Sequence, residues 1–407
     1  MNPARRAWLR QLAARAGSGA ALLCAARAQA APEAPTATAS VNSDTTLDAE
    51  APDPVRRGRP LVFPRDHGAH PGARTEWWYA TGWLVAGATQ PPVAPSGHQD
   101  NEGLLGFQLT FFRSRTGLAA DNASRFAARQ LLFAHAALTT LEPGPARHLH
   151  AQRITRWNGR PEARAGAAAL DDGRVHLGDW WLRRTGLEAQ TVWTAELPSA
   201  DFGLSLQLAR SQPLLLQGDL GFSRKGPDER QASHYYSEAQ LAAQGTVLID
   251  GRTVTGQGRA WLDHEWSEEI LHPEAVGWDW VGLNLFDGSA LTAFQLRRRD
   301  GTALWAGGSI RAPGGPVRAY AATELRFTPE RWWTSPGTNA RYPVQWQLSH
   351  PSGQYTVRAL LDAQEMDGRG GTGTVYWEGL SEVLDAQGRR VGLGYLEMTG
   401  YAGTLRL

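Results

Sequence analysis

The chain has 407 residues, of which 42% are hydrophobic and 20% charged, with a formal net charge of +1. So even a balance excludes the broad basic surface of a nucleic-acid binder, and no nucleic-acid partner is expected. A single core rarely grows past roughly 250–300 residues, so the length implies two domains.

Residues 1–30 read as an export signal. Arg5 and Arg6 open a basic region, residues 16–26 are a short apolar run, and Ala28-Gln29-Ala30 offers a cleavage site. The run is too short to span a bilayer. Arg5-Arg6-Ala7-Trp8-Leu9 loosely resembles a twin-arginine signal, so that route and the general one both stay open. Either makes the mature protein periplasmic or secreted. Cys24 is the only cysteine, and cleavage after Ala30 leaves a chain without disulfides. Residues 31–58 are rich in Ala, Pro, Thr and acidic residues without apolar periodicity, which predicts a disordered linker.

The folded part is expected from residue 59, with an N-terminal domain over 59–256 and a C-terminal domain over 257–407. Leu61-Val62-Phe63-Pro64 reads as a short entry strand, and Asp66 to Arg74 as a loop. Glu76 to Val85 alternates as a strand, with Trp77, Tyr79, Thr81 and Trp83 on one face and Glu76, Trp78 and Leu84 on the other. Residues 87–103 form a Pro/Gly-rich hairpin loop before a strand at Leu104 to Arg113. Leu131 to Leu141 suits a strand, with a helix as the alternative. Short apolar runs between turn signals from Arg153 to Arg224 have the spacing of an antiparallel meander. Asp171-Asp172-Gly173 marks a tight turn, and Thr246–Ile249, Asp250-Gly251 and Thr253–Gly256 make the clearest hairpin. Trp278 to Leu285 followed by Ala290 to Arg297 repeats the theme of Glu76–Leu84 followed by Leu105–Leu109; both copies end in Phe-Gln-Leu, a weak internal duplication. Val391 to Tyr401 reads as a closing strand. With no long amphipathic helix in view, the fold class is all-β, built of closed or nearly closed antiparallel barrels that remove exposed edges.

Two blocks carry most of the unusual residues. The first is Phe63-Pro64-x-Asp66-His67-Gly68-x-His70-Pro71 with Thr75-Glu76-Trp77-Trp78-Tyr79-x-Thr81-Gly82. The second is Gly258-Arg259-Ala260-Trp261-Leu262-Asp263-His264-Glu265-Trp266 with Val276-Gly277-Trp278-Asp279-Trp280. Together they resemble the signature of the AttH/carotenoid 1,2-hydratase-like proteins, over about residue 60 to the C-terminus. The resemblance implies two lipocalin-like β-barrel domains, each introduced by one block. It also implies an activity: in the hydratase branch a carboxylic acid protonates an isoprenoid double bond, and this role carries over to Asp263. The histidine that handles water carries over to His234, and two flanking aromatics to Tyr236 and Trp261. The other candidates for the substrate wall are Glu76, Trp78, Trp266, Trp278 and Trp280.

The chemistry behind that assignment is general. Adding water to an unactivated alkene needs a carboxyl kept protonated by apolar burial, and aromatic faces that shield a cation. Two readings follow: an exported hydro-lyase acting on an apolar, isoprenoid-like substrate, or a lipocalin-like carrier of such a ligand without chemistry. The discriminating feature is whether Asp263 and His234 converge in one closed apolar cavity. Contact with a membrane surface is a route for ligand exchange in either case. Asp263 and Glu265 as a glycosidase pair are disfavoured, because both lie on one strand. Asp66, His67 and His70 resemble a metal site but lack a third strong ligand nearby. No P-loop, dinucleotide fingerprint or nucleophile elbow is present, so neither cofactor nor metal is expected.

Overall fold

The computed structural model describes residues 52–90, 101–117, 127–141 and 144–405. The export signal and most of the expected linker lie outside the described residues. Helix there is confined to two single-turn 3-10 segments, Arg65–His67 and Glu188–Gln190, and everything else regular is strand.

The first sheet comprises β1 (Thr75–Ala86), β2 (Leu104–Arg115), β3 (Gln130–Thr140), β4 (Arg147–Trp157), β5 (Gly166–Ala168), β6 (Arg174–Leu177), β7 (Trp180–Thr185), β8 (Val192–Pro198), β9 (Phe202–Ala209), β10 (Leu215–Leu216), β11 (Phe222–Arg224), β12 (Ala232–Ile249) and β13 (Arg252–Glu269). The second comprises β14 (Ala275–Leu285), β15 (Ala290–Arg298), β16 (Ala303–Arg311), β17 (Arg318–Tyr320), β18 (Arg326–Thr334), β19 (Arg341–His350), β20 (Gly353–Ala359), β21 (Glu365–Asp367), β22 (Val375–Leu384) and β23 (Arg390–Thr399).

The strand order of the first sheet is β4-β3-β2-β1-β13-β12-β9-β8-β7-β6-β5, and that of the second is β17-β16-β15-β14-β23-β22-β20-β19-β18. In both, four strands run out as a meander while the last strand returns to pair with the first. The duplication suspected from Phe-Gln-Leu is therefore a duplication of topology. The first sheet curls until its ends meet: Arg153 on β4 donates to the Leu177 carbonyl on β6 at 3.3 Å. It is a nearly closed barrel; the second sheet is a half-barrel. Two lipocalin-like barrels are thus the architecture, as the fold-class expectation had it.

Several boundaries differ from expectation. The 256/257 division would cut the β12–β13 hairpin, whose strands stay paired from Ala232 to Glu269 with bulges between Ala232 and His234 and between Glu238 and Leu241. The change of sheet falls between Glu269 and Ala275. The second block therefore does not introduce the second domain: it lies on β13, directly beside the first block on β1, pairing Trp77 with Glu265, Trp78 with His264 and Tyr79 with Asp263. Long-range pairing decides this, and local propensity is silent about it. Leu61–Pro64 forms no strand and leads into the 3-10 turn. The tail of the expected linker is docked, with Arg57 pairing with Glu229 and Asp219 and lying over the Phe222 ring. Elsewhere the local signals hold. Asp250 and Gly251 adopt positive φ (50° and 73°) as a type I′ turn between the paired Ile249 and Arg252.

Each sheet has its own core. Trp78, Leu84, Leu109, Leu204, Leu241 and Leu262 belong to the barrel interior, and Val281, Leu283, Tyr342, Trp346 and Leu396 to the half-barrel. A third cluster joins the two sheets. Tyr79 and Trp83 from β1 and Trp261 from β13 pack on Trp280, Phe294, Leu380 and Tyr395 of the second sheet. Each such side chain contributes about 1.5–3 kcal/mol on burial. Gly258 lets β13 come close to β1, since a Cβ there would lie 1.9 Å from the Trp83 carbonyl oxygen.

Candidate active site

Between the barrel and the half-barrel lies a cavity of about 280 Å³. Alternation on β1 and β13 sets its first wall. Trp77 and Tyr79 point into it from β1, and Asp263 and Glu265 from β13. Phe112 and Phe133, stacked with centroids 4.6 Å apart, extend that wall along β2 and β3. Trp278, Trp280, Phe294, Tyr376, Glu378 and Glu397 make the opposite wall. The volume falls just below the range typical of small-molecule sites, about 300–1,000 Å³.

Asp263 is almost fully buried, at 3% exposure. The Tyr235 hydroxyl donates to its Oδ2 at 2.8 Å and Trp261 Nε1–H to its Oδ1 at 2.7 Å. Burial pushes the carboxyl up from the ordinary range to about 7, with hydrogen bonds from Ser237, Tyr235 and Trp261 pulling it partly back and neighbouring Glu265 pushing it further up. Trp280 Nε1–H in turn donates to the Tyr235 hydroxyl at 3.2 Å, which orients one of the acid's donors. Glu265, two residues along the same face, is matched by a cation. Lys225 reaches it at 2.8 Å, with its ammonium 4.0 Å from the Phe294 ring centroid and 4.7 Å from that of Tyr235.

The opposite wall carries two more acids, with Glu378 and Glu397 directly across from each other on β22 and β23. Burial raises the Glu397 carboxyl above the ordinary carboxylate range; Trp278 Nε1–H, donating at 2.9 Å, lowers it, while Asp263, Glu265 and Asp279 push it up. Burial also holds Glu378 well above the carboxylate range, reinforced by Glu397. His135 lines the cavity nearby, held at about 4 by burial and therefore neutral at pH 7, with its Nδ1 2.7 Å from the Tyr376 hydroxyl. An aromatic-lined site presenting carboxyls that stay protonated near neutral pH can deliver a proton to an apolar substrate.

The residues expected at the site divide between the two faces of the sheet. Asp263, Trp278 and Trp280 line the cavity, and Trp261 holds Asp263 from its edge. His234 does not join Asp263. Residues one apart on a strand face opposite ways, and on β12 it is Tyr235 and Ser237 that share Asp263's side. His234 lies inside the barrel against Trp266, its ring nitrogens without hydrogen-bond partners. Tyr236 is likewise on the inner face, its hydroxyl 2.6 Å from His67 Nδ1. Convergence of Asp263 with His234 and Tyr236 is therefore corrected: the tyrosine on the acid is Tyr235.

Trp78, Trp266 and most of Glu76 also belong to the inner face, where they build a plug under the Asp66–Arg74 loop. Trp78 Nε1–H donates to the His67 carbonyl at 3.0 Å, and Trp266 stacks on His70 at 3.7 Å. Glu76 is fully buried and also borders the cavity. Its Oε1 lies 2.7 Å from His70 Nδ1 and 3.0 Å from His264 Nε2, and its Oε2 accepts from Arg113 Nε at 2.7 Å. Burial alone would raise this carboxyl, but Arg113 and the two imidazoles outweigh it and hold it well below the usual range. His70, Glu76 and His264 are grouped closely enough to hold a metal ion. Yet both imidazoles already meet the same Glu76 oxygen and a guanidinium takes the other, so the group is satisfied as a hydrogen-bonded plug.

Sequence reasoning missed Tyr235, Ser237, Lys225, Glu378 and Glu397. A signal existed for Lys225, the only lysine of the chain. None existed for the glutamates, which reach the site only through packing of the two sheets.

A barrel and a half-barrel of this connectivity, closing on an acid-bearing aromatic cavity, define an all-β protein of lipocalin-like barrel architecture. The AttH-like family model matches residues 54–401, and the chain belongs to that family. A solved protein from Nitrosomonas europaea, assigned as an AttH, is 40% identical with a TM-score of 0.75, covering 86% of this chain and 99% of its own. Kievitone hydratase from Nectria haematococca shares the fold with a TM-score of 0.58 at 13% identity, covering 88% of this chain and 98% of its own. No curated protein matches the sequence.

Proposed function

We propose that this is an exported hydratase-like enzyme that adds water to, or isomerises, an apolar alkene, with Asp263 as the proton donor. One observation carries the reading: a carboxyl facing an apolar cavity and kept by burial at about 7, so that a large fraction is protonated at neutral pH. In the proposed reaction Asp263 gives its proton to one alkene carbon and the cation forms on the other. Water adds to the cation, and the oxonium returns its proton to the Asp263 carboxylate, which balances the cycle on one group. Tyr235 and Trp261 hold both carboxyl oxygens, so the acid keeps its orientation through both transfers. The fold shared with a protein named a hydratase supports the class of reaction. A cavity of about 280 Å³ suits a compact alkene or one end of an isoprenoid chain.

The test is mass spectrometry of products after incubation with an acyclic carotenoid, and with shorter prenylated alkenes, in ¹⁸O-labelled water. Gain of one labelled water by wild type and its loss in Asp263→Asn is the expected result. An apolar ligand retained equally by both proteins without product would replace the enzyme with the carrier.

A further inference from the structure

The proposed reaction uses one of the cavity's acids and leaves the Glu378–Glu397 pair without a task. These side chains are cross-strand neighbours, so their carboxyls share one small volume. The cations around the cavity are committed elsewhere, Lys225 to Glu265 and Arg113 to Glu76. Arg297, behind β14, is taken by Asp279. Glu378 is 1% exposed, lines the cavity, and its Oε1 has no hydrogen-bond partner. The Tyr79 and Tyr376 hydroxyls, both on the cavity wall, are the hydrogen-bonding neighbours of this carboxyl, and both are neutral. Glu378 thus keeps one buried oxygen unpartnered on the cavity wall, with neutral hydroxyls and no cation beside it. Aromatic faces surround that space: Trp77 and Trp278 lie near parallel at 6.4 Å, and Trp280 meets Tyr79 edge-on at 5.2 Å.

We infer that the Glu378–Glu397 pair and the Trp77, Trp278 and Trp280 rings form a binding site for an organic cation, a tertiary or quaternary ammonium of compact size. A carboxyl pair without a counter-cation must keep a proton while the cavity is empty. A bound ammonium replaces that proton, and the rings stabilise the same charge through their quadrupoles. The groups facing the pair are Tyr79 from β1, Asp263 and Glu265 from β13, Trp278 and, through the sheet, Asp279 from β14, Tyr376 from β22 and Tyr395 from β23. None brings a free positive charge. In the proposed reaction the same pair would meet the cation formed on the substrate; that use rests on the reading above, whereas ammonium binding does not.

The probe is benzyltrimethylammonium, compared with its uncharged carbon isostere neopentylbenzene, binding being followed by calorimetry and tryptophan fluorescence from pH 5.5 to 7.5. Expected is a clear preference for the cation, release of about one proton per ligand bound, and affinity rising about tenfold per pH unit. Glu378→Gln and Glu397→Gln should abolish both the release and the pH slope, while Asp263→Asn keeps them. Equal binding of the two probes by wild type, or no proton release, overturns the site without recourse to variants. A slope lost in Asp263→Asn but kept in the glutamine variants moves the cation to Asp263 and refutes the assignment to the pair. Since no turnover is measured, failure here leaves the hydratase reading standing, and failure to hydrate leaves this one.

Discussion

Replacing Asp263 by asparagine should make the protein more stable, and increasingly so as pH rises. The carboxyl moves from an ordinary 3.8 to about 7 on folding, which corresponds to about 4 kcal/mol at 1.36 kcal/mol per pH unit. The folded protein holds this proton more tightly than the unfolded chain. The protonated acid therefore contributes fully below pH 3.8, and that stability drains away as pH rises to about 7; above it, the buried carboxylate costs the full amount. An asparagine is neutral throughout. It cannot accept on both sides from Tyr235 and Trp261, an offset of about 1–2 kcal/mol that does not vary with pH. The stability of Asp263→Asn relative to wild type should thus climb by about 3 kcal/mol between pH 5 and pH 8, beginning near zero and ending as a net gain. Urea denaturation followed by tryptophan fluorescence at four pH values reads this directly. A difference flat within about 1 kcal/mol across that range would mean that the carboxyl ionises freely in the folded protein. The case for Asp263 as a neutral-pH acid would then collapse.

Three further outcomes are expected. Turnover that needs protonated Asp263 should hold below pH 7 and fall about tenfold per pH unit above about 7, so kcat/KM rising with pH through that point would remove Asp263 as the acid. Lys225→Met leaves Glu265 charged and buried, and should destabilise by about 3–5 kcal/mol, most of which Lys225→Met/Glu265→Gln restores; equal losses in single and double variants would show that the ammonium acts only by packing on Phe294. His234→Phe should keep activity and gain up to about 1–3 kcal/mol by removing two unpartnered ring nitrogens, checked by thermal unfolding alongside product assays; loss of turnover there would return His234 to the chemistry.

Local signals made much of this molecule legible. Alternation along Glu76–Val85 placed Trp77 and Tyr79 opposite Glu76 and Trp78, and the structure keeps that division, cavity on one side and barrel interior on the other. The Asp250-Gly251 turn was fixed by residues that tolerate positive φ. The resemblance pointed to Asp263 as an acid kept protonated by burial, and burial is the largest cause that raises its carboxyl. What failed was partnership. The carried-over His234 and Tyr236 are one residue out of phase with the face that Asp263 presents.

The sequence by itself determined an all-β chain of two barrels, the position of its two motif blocks and the acid most worth testing. The all-β reading follows from short-range rules, namely side-chain alternation and turn chemistry; the paired lipocalin-like barrels and the choice of Asp263 follow from the family resemblance that the two blocks carry. Only the tertiary structure decided which face of β12 and β13 is the site. Both faces of these strands are buried near the blocks, one in the barrel and one against the second sheet. Alternation of polarity normally reports the inward side, and it disappears when neither side meets water. The tertiary structure also brought Glu378 and Glu397, more than a hundred residues away in the chain, to the wall facing Asp263, because that wall belongs to no single segment and exists only where one sheet packs on the other.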